Sequence, residues 1–319
     1  MIVSLTNQAT TKAVEPDAAA PLAARPGYVI LSFDVEEHHR IEAAKDLTLP
    51  PSVQARYRKR LAPPTLWLLE QLEQFAIKAT FFVVGQIAEY KPELVRAIHE
   101  AGHEVASHGW DHRPAHCFTP TTFREDVRRS KETLEQVIGA GVSGFRAPTF
   151  SITRQTAWAI DVLNELGMRY DSSIYPVRHD RYGIPGAPRT LFRIVRGSCS
   201  LLEIPPATLR VLGTNLPVGG GGYFRLLPLF LLKHALRHAA ASGQANASML
   251  YFHPWEFDPQ QPRLPLRLLN RFRTYVGIHG NRTRLARLFK WGERYSFIRA
   301  IDAAELLYQQ PLPTFRLPA

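Results

Sequence analysis

Short apolar runs alternate with helical patterns from Tyr28 to His253, and this alternation limits how the chain can fold. The first run, YVILSF at 28–33, is continuously apolar, as expected of a strand covered on both faces. Six similar runs follow, at 79–84, 103–108, 142–147, 168–173, 201–206 and 248–253. Strands separated by helices predict a parallel sheet. We therefore expect an α/β protein of about seven parallel strands, either closed into a barrel or open.

The helices between these runs carry recognisable start and stop signals. Helical spacing of apolar residues predicts helices over 65–76, 92–102, 119–139 and 153–167. The longest has Thr119 as its N-cap, Pro120 at its first position and Gly139 beyond its end. No G-x-G-x-x-G follows the first strand, which argues against a dinucleotide fold. The glycine run at 219–222 is interpreted as a turn close to the site or as a flexible linker.

Positive charge is concentrated at the C-terminal end of the 319-residue chain. Of the net charge of +11, eight units come from 261–319, where ten Arg and one Lys face three acidic residues. We expect a flexible tail at 1–26, a catalytic domain at 27–260 and a basic, helical C-terminal extension at 261–319. The extension favours a polyanionic partner, which is an anionic membrane surface or an acidic glycan rather than nucleic acid. The alternative is that its apolar residues pack on the body of the protein and its Arg residues are merely solvated.

The remaining composition is that of an ordinary globular protein. Apolar residues make up 45% of the chain, and no stretch approaches the roughly 20 apolar residues of a membrane span. The two cysteines, Cys117 and Cys199, form no CxxC pair, which excludes a disulfide framework and a cysteine zinc site. Residues 1–27 show no secretory signal pattern. We expect a cytoplasmic protein, with peripheral association with the inner membrane as an alternative.

Polar residues capable of chemistry follow five of the predicted strands. They are Asp34, Glu36 and Glu37 after the first strand, His108 and His112 after the third, Arg146 after the fourth, Asp171 after the fifth and His253 after the seventh. Carboxyl ends of parallel strands meet at one edge of a sheet, where α/β proteins build their active sites. The sequence therefore predicts a single site at this edge.

His108 and His112 are candidate metal ligands. Side chains four positions apart share one face of a helical turn. Two histidines and a carboxylate form a common open metal site. The carboxylate is expected to be Glu36 or, less favoured, Glu37. The same ligand set also describes non-haem Fe(II) oxygenases, although here the carboxylate precedes both histidines by about seventy residues on a parallel α/β frame.

Four further residues are candidates for proton transfer or for its support. Asp34 lies two residues before Glu36, on the same face of an extended segment, and remains free to act as a base. Arg146, on a rigid Arg-Ala-Pro turn, is expected to clamp Asp34 and keep it ionised.

The remaining candidates concern the leaving group. His253, fixed by Pro254, is a candidate proton donor to the leaving group. Asp171 is expected to orient its ring.

Five ordered motifs make this chain similar to the polysaccharide deacetylases of carbohydrate esterase family four. They are SFDVEE (32–37), SHGWDH (107–112), FRAP (145–148), YDSS (170–173) and FHP (252–254). The longer segments GVSGFRAPTFSIT, YDSSIYPVRHDRYG, PVGGGGYFRLLP and FHPWEFDPQQPRLP resemble the branch found in exopolysaccharide loci with exosortase sorting systems. That branch has a C-terminal extension of unknown function.

The resemblance implies a distorted (β/α) barrel and metal-dependent hydrolysis of an N-acetyl, sometimes O-acetyl, group on a glycan, with Zn²⁺ as the expected ion. It implies that Asp34 takes a proton from water, that His253 protonates the departing amine, and that an N–H in the Arg146–Thr149 turn holds the oxyanion. Many family members have a second aspartate directly after the first, where this chain has Val35. This departure moves the ligand role to Glu36. It also leaves open an allantoinase-like activity on another C–N amide bond. A separate alternative is a non-catalytic glycan- or membrane-binding module that kept the fold.

Overall fold

The strands of a computed structural model of the chain follow the expected order. The model describes residues 27–179, 182–241, 247–307 and 310–318, so the expected tail at 1–26 lies outside the described residues. The strands are β1 (Tyr28–Val35), β2 (Thr80–Val83), β3 (Glu104–Ser107), β4 (Gly144–Phe145), β5 (Tyr170–Asp171), β6 (Phe192–Arg196), β7 (Cys199–Glu203), β8 (Thr208–Val211), β9 (Thr214–Pro217), β10 (Ala247–Phe252), β11 (Ser296–Ile298) and β12 (Thr314–Arg316). Each of the seven apolar runs contains or overlaps one of them.

Those seven strands form the parallel part of the sheet. They lie side by side in the order β10-β1-β2-β3-β4-β5-β7, and every neighbouring pair is parallel. The α/β class and the parallel sheet of about seven strands are confirmed. The hydrogen-bonded ladder is open between β7 and β10. Isolated bridges lie in that gap: the N–H of Ala207 donates to Met249 O (2.9 Å), and that of Tyr251 donates to Gly219 O (2.8 Å).

The sheet also contains strands that the sequence patterns did not predict. Beyond β7 the sheet continues with an antiparallel β6, and β12 adds to it in parallel. β8 and β9 form a separate hairpin. These strands are short or half-exposed, so they lack the continuous apolar run that marks a strand buried on both faces.

Helices connect the parallel strands along the chain, and further helices follow the last of these strands. They are α1 (Pro51–Arg60), α2 (Ala62–Gln74), α3 (Gly85–Tyr90), α4 (Pro92–Glu100), α5 (Pro120–Ile138), α6 (Ala159–Glu165), α7 (Gly221–Leu226), α8 (Leu229–Ala241), α9 (Leu268–Tyr275), α10 (Ile278–Gly292) and α11 (Ala300–Leu307). In none of the described segments is a helix both long and apolar enough to cross a membrane.

Local chemistry explains where two of these helices begin. At α5 the hydroxyl of Thr119 accepts the N–H of Thr122, and Gly139 ends the helix with a positive φ of 67°, as expected. The helix expected over 153–167 is shorter, because α6 begins only at Ala159. The hydroxyl of Thr156 bonds the backbone at both Thr153 N (2.9 Å) and Ser151 O (2.8 Å), which holds this stretch in turns instead.

The C-terminal region is built into the same sheet. β11 pairs with the first half of β1, and β12 pairs with β6, so the extension contributes strands as well as helices. The apolar side chains Leu285, Leu288 and Phe289 of α10 are buried in the core that also contains Val29 and Leu31 of β1. The domain boundary at 260/261 stays a prediction.

Candidate active site

Two carboxylate side chains lie at the C-terminal end of β1, in the middle of the sheet. Asp34 is the penultimate residue of β1 and Glu36 follows the strand; both are about 2% exposed. Glu37 is also buried, but its carboxylate faces a different group of residues: Arg40 Nε donates to it at 2.6 Å and Arg58 Nε lies at 3.7 Å. Of the two neighbouring glutamates, Glu36 is therefore the one that faces the candidate site.

A loop rather than a helical turn brings His108 and His112 together. The ring centroids are 5.0 Å apart, but Gly109 (φ 73°) and His112 (φ 66°) both have left-handed backbone conformations, so the helical reason given for the pair was wrong. The loop is held by Asp126, whose Oδ2 accepts the N–H of Trp110 (2.9 Å). A side chain at Gly109 would meet that carboxylate at 3.2 Å. Position 109 therefore favours glycine for two reasons, the positive φ and the close approach of the Asp126 carboxylate.

Hydrogen bonding orients His108 as a ligand. Its Nδ1 donates to Arg146 O (2.7 Å), and because a carbonyl only accepts, Nε2 carries the free lone pair. Burial lowers the pKa of His108 to about 4, against the opposing charges of Asp34 and Glu36. The ring is therefore neutral near pH 7, as a metal ligand must be.

Glu36, His108 and His112 form one cluster. Each offers a ligand atom, and these atoms all lie within 4.8 Å of one another. Nε2 of His112 faces Oε2 of Glu36, yet among the described residues this buried oxygen has no hydrogen bond of ordinary geometry. Burial raises the pKa of Glu36, but the His112, His253 and His108 rings outweigh it and the pKa falls well below its usual range. An ionised carboxylate with an unsatisfied oxygen beside two imidazoles suits a divalent cation.

Arg146 is fully buried and contacts Asp34. Its Nη1 donates to Asp34 Oδ1 (2.6 Å) and to Ser32 Oγ (3.0 Å), and its Nη2 donates to Ser172 Oγ (2.9 Å). The guanidinium also lies over the ring of Phe82, 4.0 Å from the centroid. A buried guanidinium fixed by several partners holds the Asp34 carboxylate in one orientation.

His253 lies opposite this pair, with Nε2 directed at the carboxylates of β1. Nε2 is 3.8 Å from Asp34 Oδ2 and 3.6 Å from Glu36 Oε1. Nδ1 is 2.6 Å from Glu256 Oε1. Burial lowers the pKa of His253, but the hydrogen bond to Glu256 and the charges of Glu36, Glu256 and Asp34 outweigh it and raise the pKa to about 9. The ring is therefore protonated at neutral pH.

Two family models match adjacent segments of the chain, and each segment contributes residues to the site. A family model described as polysaccharide deacetylase matches residues 64–170, which include His108, His112 and Arg146. This segment, about a third of the chain, is therefore similar to the polysaccharide deacetylases. A second model, described as a domain of unknown function (DUF3473), matches residues 172–304, which include His253 and Glu256. The candidate site thus contains residues of both matched segments, together with Asp34 and Glu36, which precede them.

Curated relatives match about a third of the chain. A peptidoglycan-N-acetylglucosamine deacetylase of Bacillus cereus is 30% identical over 95 residues, 30% of this chain and 34% of the relative. A peptidoglycan deacetylase of Helicobacter pylori is 28% identical over 107 residues, 34% of this chain and 36% of the relative. The chain spans about a third of the length of these relatives.

Solved structures share the fold over nearly the whole chain. A crystal structure assigned to the polysaccharide deacetylases, from Mycobacterium smegmatis, has a TM-score of 0.60 and 23% identity, covering 97% of both chains. The crystal structure of PuuE allantoinase has a TM-score of 0.60 and 17% identity, covering 92% of this chain and 99% of the other. At these identities the likeness concerns the fold.

The carboxylate that contacts His253 differs from the expected one. Asp171 was expected to orient His253, but its Oδ1 accepts from Ser173 Oγ (2.5 Å), whose oxygen in turn accepts the N–H of Ala147 (2.7 Å). Asp171 therefore supports the turn after β4, and Glu256 contacts the ring instead. Burial, together with the charge of Asp171, raises the pKa of the neighbouring Glu203 well above its usual range, which favours a proton held between these two carboxyl groups.

The contact from Glu256 was missed, although its signal is short and local. Pro254 begins a 3-10 turn in which Glu256, three residues after His253, reaches back to both the backbone N–H (3.1 Å) and Nδ1 of that histidine. The other oxygen of Glu256 is held by the buried guanidinium of Arg225. Arg225 follows the glycine run, which lies beside the site: a side chain at Gly220 (φ 159°) would collide with Tyr251 O.

A cavity of about 250 Å³ opens onto these groups. Its lining includes Asp34, Glu36, His108 and His253, and from the C-terminal region Arg273 and Thr274. Phe150, Tyr251 and Trp255 supply aromatic walls. A mostly apolar cavity with a few convergent polar groups is typical of a small-molecule or sugar-sized site.

Proposed function

We propose that the protein is a metal-dependent hydrolase that removes acetyl groups, N-acetyl in particular, from a glycan. The observation that carries the proposal is the joint position of a His-His-Glu cluster, an arginine-held aspartate and a protonated histidine around one cavity. Amide hydrolysis needs an activated water, a base and an acid for the departing nitrogen. The chain offers residues for all three.

Glu36, His108 and His112 would hold the divalent ion, with Zn²⁺ as the expected species. A bound ion of this kind acidifies water toward a pKa of about 7 and polarises a carbonyl. Neutral His108 and ionised Glu36 are in the protonation states that ligation requires.

Asp34 is assigned as the base. It takes the proton of the water that attacks the acetyl carbonyl, and the hydrogen bond from Arg146 holds its carboxylate in place. Charge develops on the carbonyl oxygen as the water adds. In the Arg146–Thr149 turn, Arg146 N already donates to Ser107 O (3.0 Å) and Ala147 N to Ser173 Oγ (2.7 Å). Pro148 has no N–H, so the Thr149 N–H is assigned as the oxyanion donor.

His253 is assigned as the acid. Its proton passes to the amide nitrogen as the C–N bond breaks, giving acetate and a free amine. With a pKa of about 9 it is charged at pH 7 and loses its proton only as the pH rises through that value. If His253 is the acid, kcat should therefore decline as the pH rises through about 9.

The wider setting belongs to the same proposal. The resemblance to deacetylases of exopolysaccharide loci supports a cytoplasmic role on a glycan precursor in exopolysaccharide biosynthesis. The relatives named for peptidoglycan support an acetylated glycan as the substrate class.

Acetate release tests the activity directly. Purified protein should release acetate and an equal amount of free amine from one or more of a panel of N-acetylated oligosaccharides and lipid-linked sugars. A chelator should abolish release and added Zn²⁺ should restore it, because the water is activated at the metal site. The reaction should proceed equally without oxygen, unlike that of a non-haem iron oxygenase. Release that survives chelation, or opening of allantoin without acetate release from any sugar, would overturn the proposal.

A Glu256→Gln substitution should weaken the acid. Loss of the charge lowers the pKa of His253, so the alkaline decline of kcat should begin at a lower pH than in the wild type. We expect kcat at pH 7 to fall about 10- to 100-fold, the value of one charge-assisted hydrogen bond. The pH profile of kcat measures both effects.

The control for this variant concerns stability, because Glu256→Gln leaves Arg225 buried without its carboxylate. Losing one partner of a buried pair costs about 3–5 kcal/mol of folding free energy. A double variant, Arg225→Met with Glu256→Gln, removes both charges and should show the same displaced alkaline limb. An unmoved limb in both variants would contradict the assignment.

A further inference from the structure

The Arg-rich segment 264–291 divides into two parts with different surroundings. In α10 the apolar residues are buried, and Arg282 Nε donates to Phe257 O (2.7 Å), so this part packs on the body of the protein. In α9 the large apolar residues face outward: Leu268 is 85% exposed, Leu269 61% and Phe272 59%. Packing therefore accounts for α10 and leaves α9 unexplained.

Arginines surround the exposed apolar residues of α9. Arg263, Arg267, Arg271 and Arg273 are all exposed, and among the described residues none of them forms an ion pair with a carboxylate. No acidic residue occurs between Asp258 and Glu293 in the sequence. A groove on this face is lined by Arg263, Leu268, Arg271 and Phe272, which shows that cations and apolar side chains share one surface. We call Leu268, Leu269, Phe272, Arg263, Arg267 and Arg271 the α9 surface.

The helix is held firmly on its inner side. Thr274 and Tyr275 are buried, and Tyr275 Oη contacts His38 Nε2 (2.9 Å) and accepts the N–H of Leu264 (2.6 Å). Arg225, which holds Glu256, also donates to Thr274 O (3.1 Å). The exposed residues therefore lie on a fixed helix and not on a loose end.

We propose that the α9 surface docks on an anionic lipid bilayer. Apolar side chains ringed by arginines match the chemistry of an interface, where acyl chains lie below phosphate-bearing headgroups. A protein partner or a second copy fits less well: the apolar part of this surface is three side chains, whereas one partner in a stable complex buries roughly 800 Å² spread over about 20–30 residues.

Docking would bring the cavity close to the membrane. Arg273 and Thr274, at the end of α9, line the cavity that contains His253. A glycan carried on a lipid would then reach the site without leaving the membrane surface. The docking itself depends only on α9 and holds whether or not the protein deacetylates sugars.

Co-sedimentation with vesicles tests the proposal. The full-length protein should bind vesicles of phosphatidylglycerol and phosphatidylcholine at low salt, bind pure phosphatidylcholine far more weakly, and dissociate as salt is raised. Replacing Leu268, Leu269 and Phe272 by Ser should weaken binding at least about ten-fold. Replacing Arg267 and Arg271 by Gln should weaken it roughly 30-fold, at about five- to six-fold for each charge.

Matched variants elsewhere on the protein control for composition. Leu212→Ser alters a fully exposed apolar residue on the β8–β9 hairpin, and Arg56→Gln with Lys59→Gln removes two exposed charges from α1. Both should bind like the wild type, and all variants should keep the wild-type melting temperature, because the replaced side chains are exposed. Equal binding to both lipids, no binding at low salt, equal losses in the controls, or self-association through α9 in sedimentation velocity would each overturn the proposal.

Discussion

The Asp34→Asn variant should retain its metal ion and lose about 10²- to 10⁴-fold in kcat, the usual contribution of a general base. Asparagine has the same shape and still accepts the hydrogen bond from Arg146, but it cannot take a proton from water. Asp34 lies outside the Glu36–His108–His112 cluster, so metal content should not change. Metal analysis and single-turnover rates on the same sample separate the two effects.

Asp111→Asn is a suitable control for that variant. Asp111 lies in the loop that carries both candidate histidine ligands, and its carboxylate pairs with the exposed Arg113 (2.9 Å). The substitution makes the same chemical change one residue from His112 and should leave the rate within a few-fold of the wild type. If Asp34→Asn turned over at the wild-type rate, or lost its metal, Asp34 would not be the base.

The position of the site was predictable because burial forces polar residues to the strand ends. A strand covered on both faces has apolar residues throughout, so the first charged residues appear where it leaves the sheet. β1 has no charged residue up to Phe33, after which come Asp34 and Glu36, and β10 ends before His253. Because the strands are parallel, all these ends lie at one edge of the sheet. The location of the site can therefore be predicted without knowing any distance between residues.

Contacts between those residues were harder to predict, because they depend on local turns. His108 and His112 meet through positive φ angles at Gly109 and at His112 itself, which the four-residue spacing does not specify. Glu256 contacts His253 because a 3-10 turn follows Pro254. Asp171, although on a neighbouring strand end, is held by Ser173. The sequence pattern therefore favoured Asp171, on a neighbouring strand end, as the contact of His253, and not Glu256, three residues along the chain.

The C-terminal region shows the same limit at a larger scale. Composition gave the excess of arginine but could not distinguish α9 from α10, whose residue types are alike. The difference arises because α10 covers the apolar side of β1 and α2, while α9 has only its inner face, at Thr274 and Tyr275, against the protein. Which of two similar helices keeps its apolar side chains in solvent depends on tertiary packing. Local sequence does not contain that information.

The His108→Ala variant should lose both its metal ion and its activity. Two ligands remain in the cluster, Glu36 and His112, and a pair rarely holds a divalent ion against water at neutral pH. Acetate release should fall to the level of the chelated wild type, and metal per protein should fall well below one in dialysed samples. His116→Ala, an exposed histidine a few residues further along the same loop, should keep both metal and rate.

Two glutamine substitutions identify the third ligand. Glu36→Gln should lose metal as His108→Ala does, because an amide is a far weaker ligand than an ionised carboxylate. Glu37→Gln should keep its metal, because that carboxylate faces Arg40 and Arg58, and the cost should appear in the melting temperature instead. Full metal occupancy in His108→Ala would show that the Glu36–His108–His112 cluster does not bind the metal. Metal loss in Glu37→Gln but not in Glu36→Gln would show that Glu37 is the third ligand.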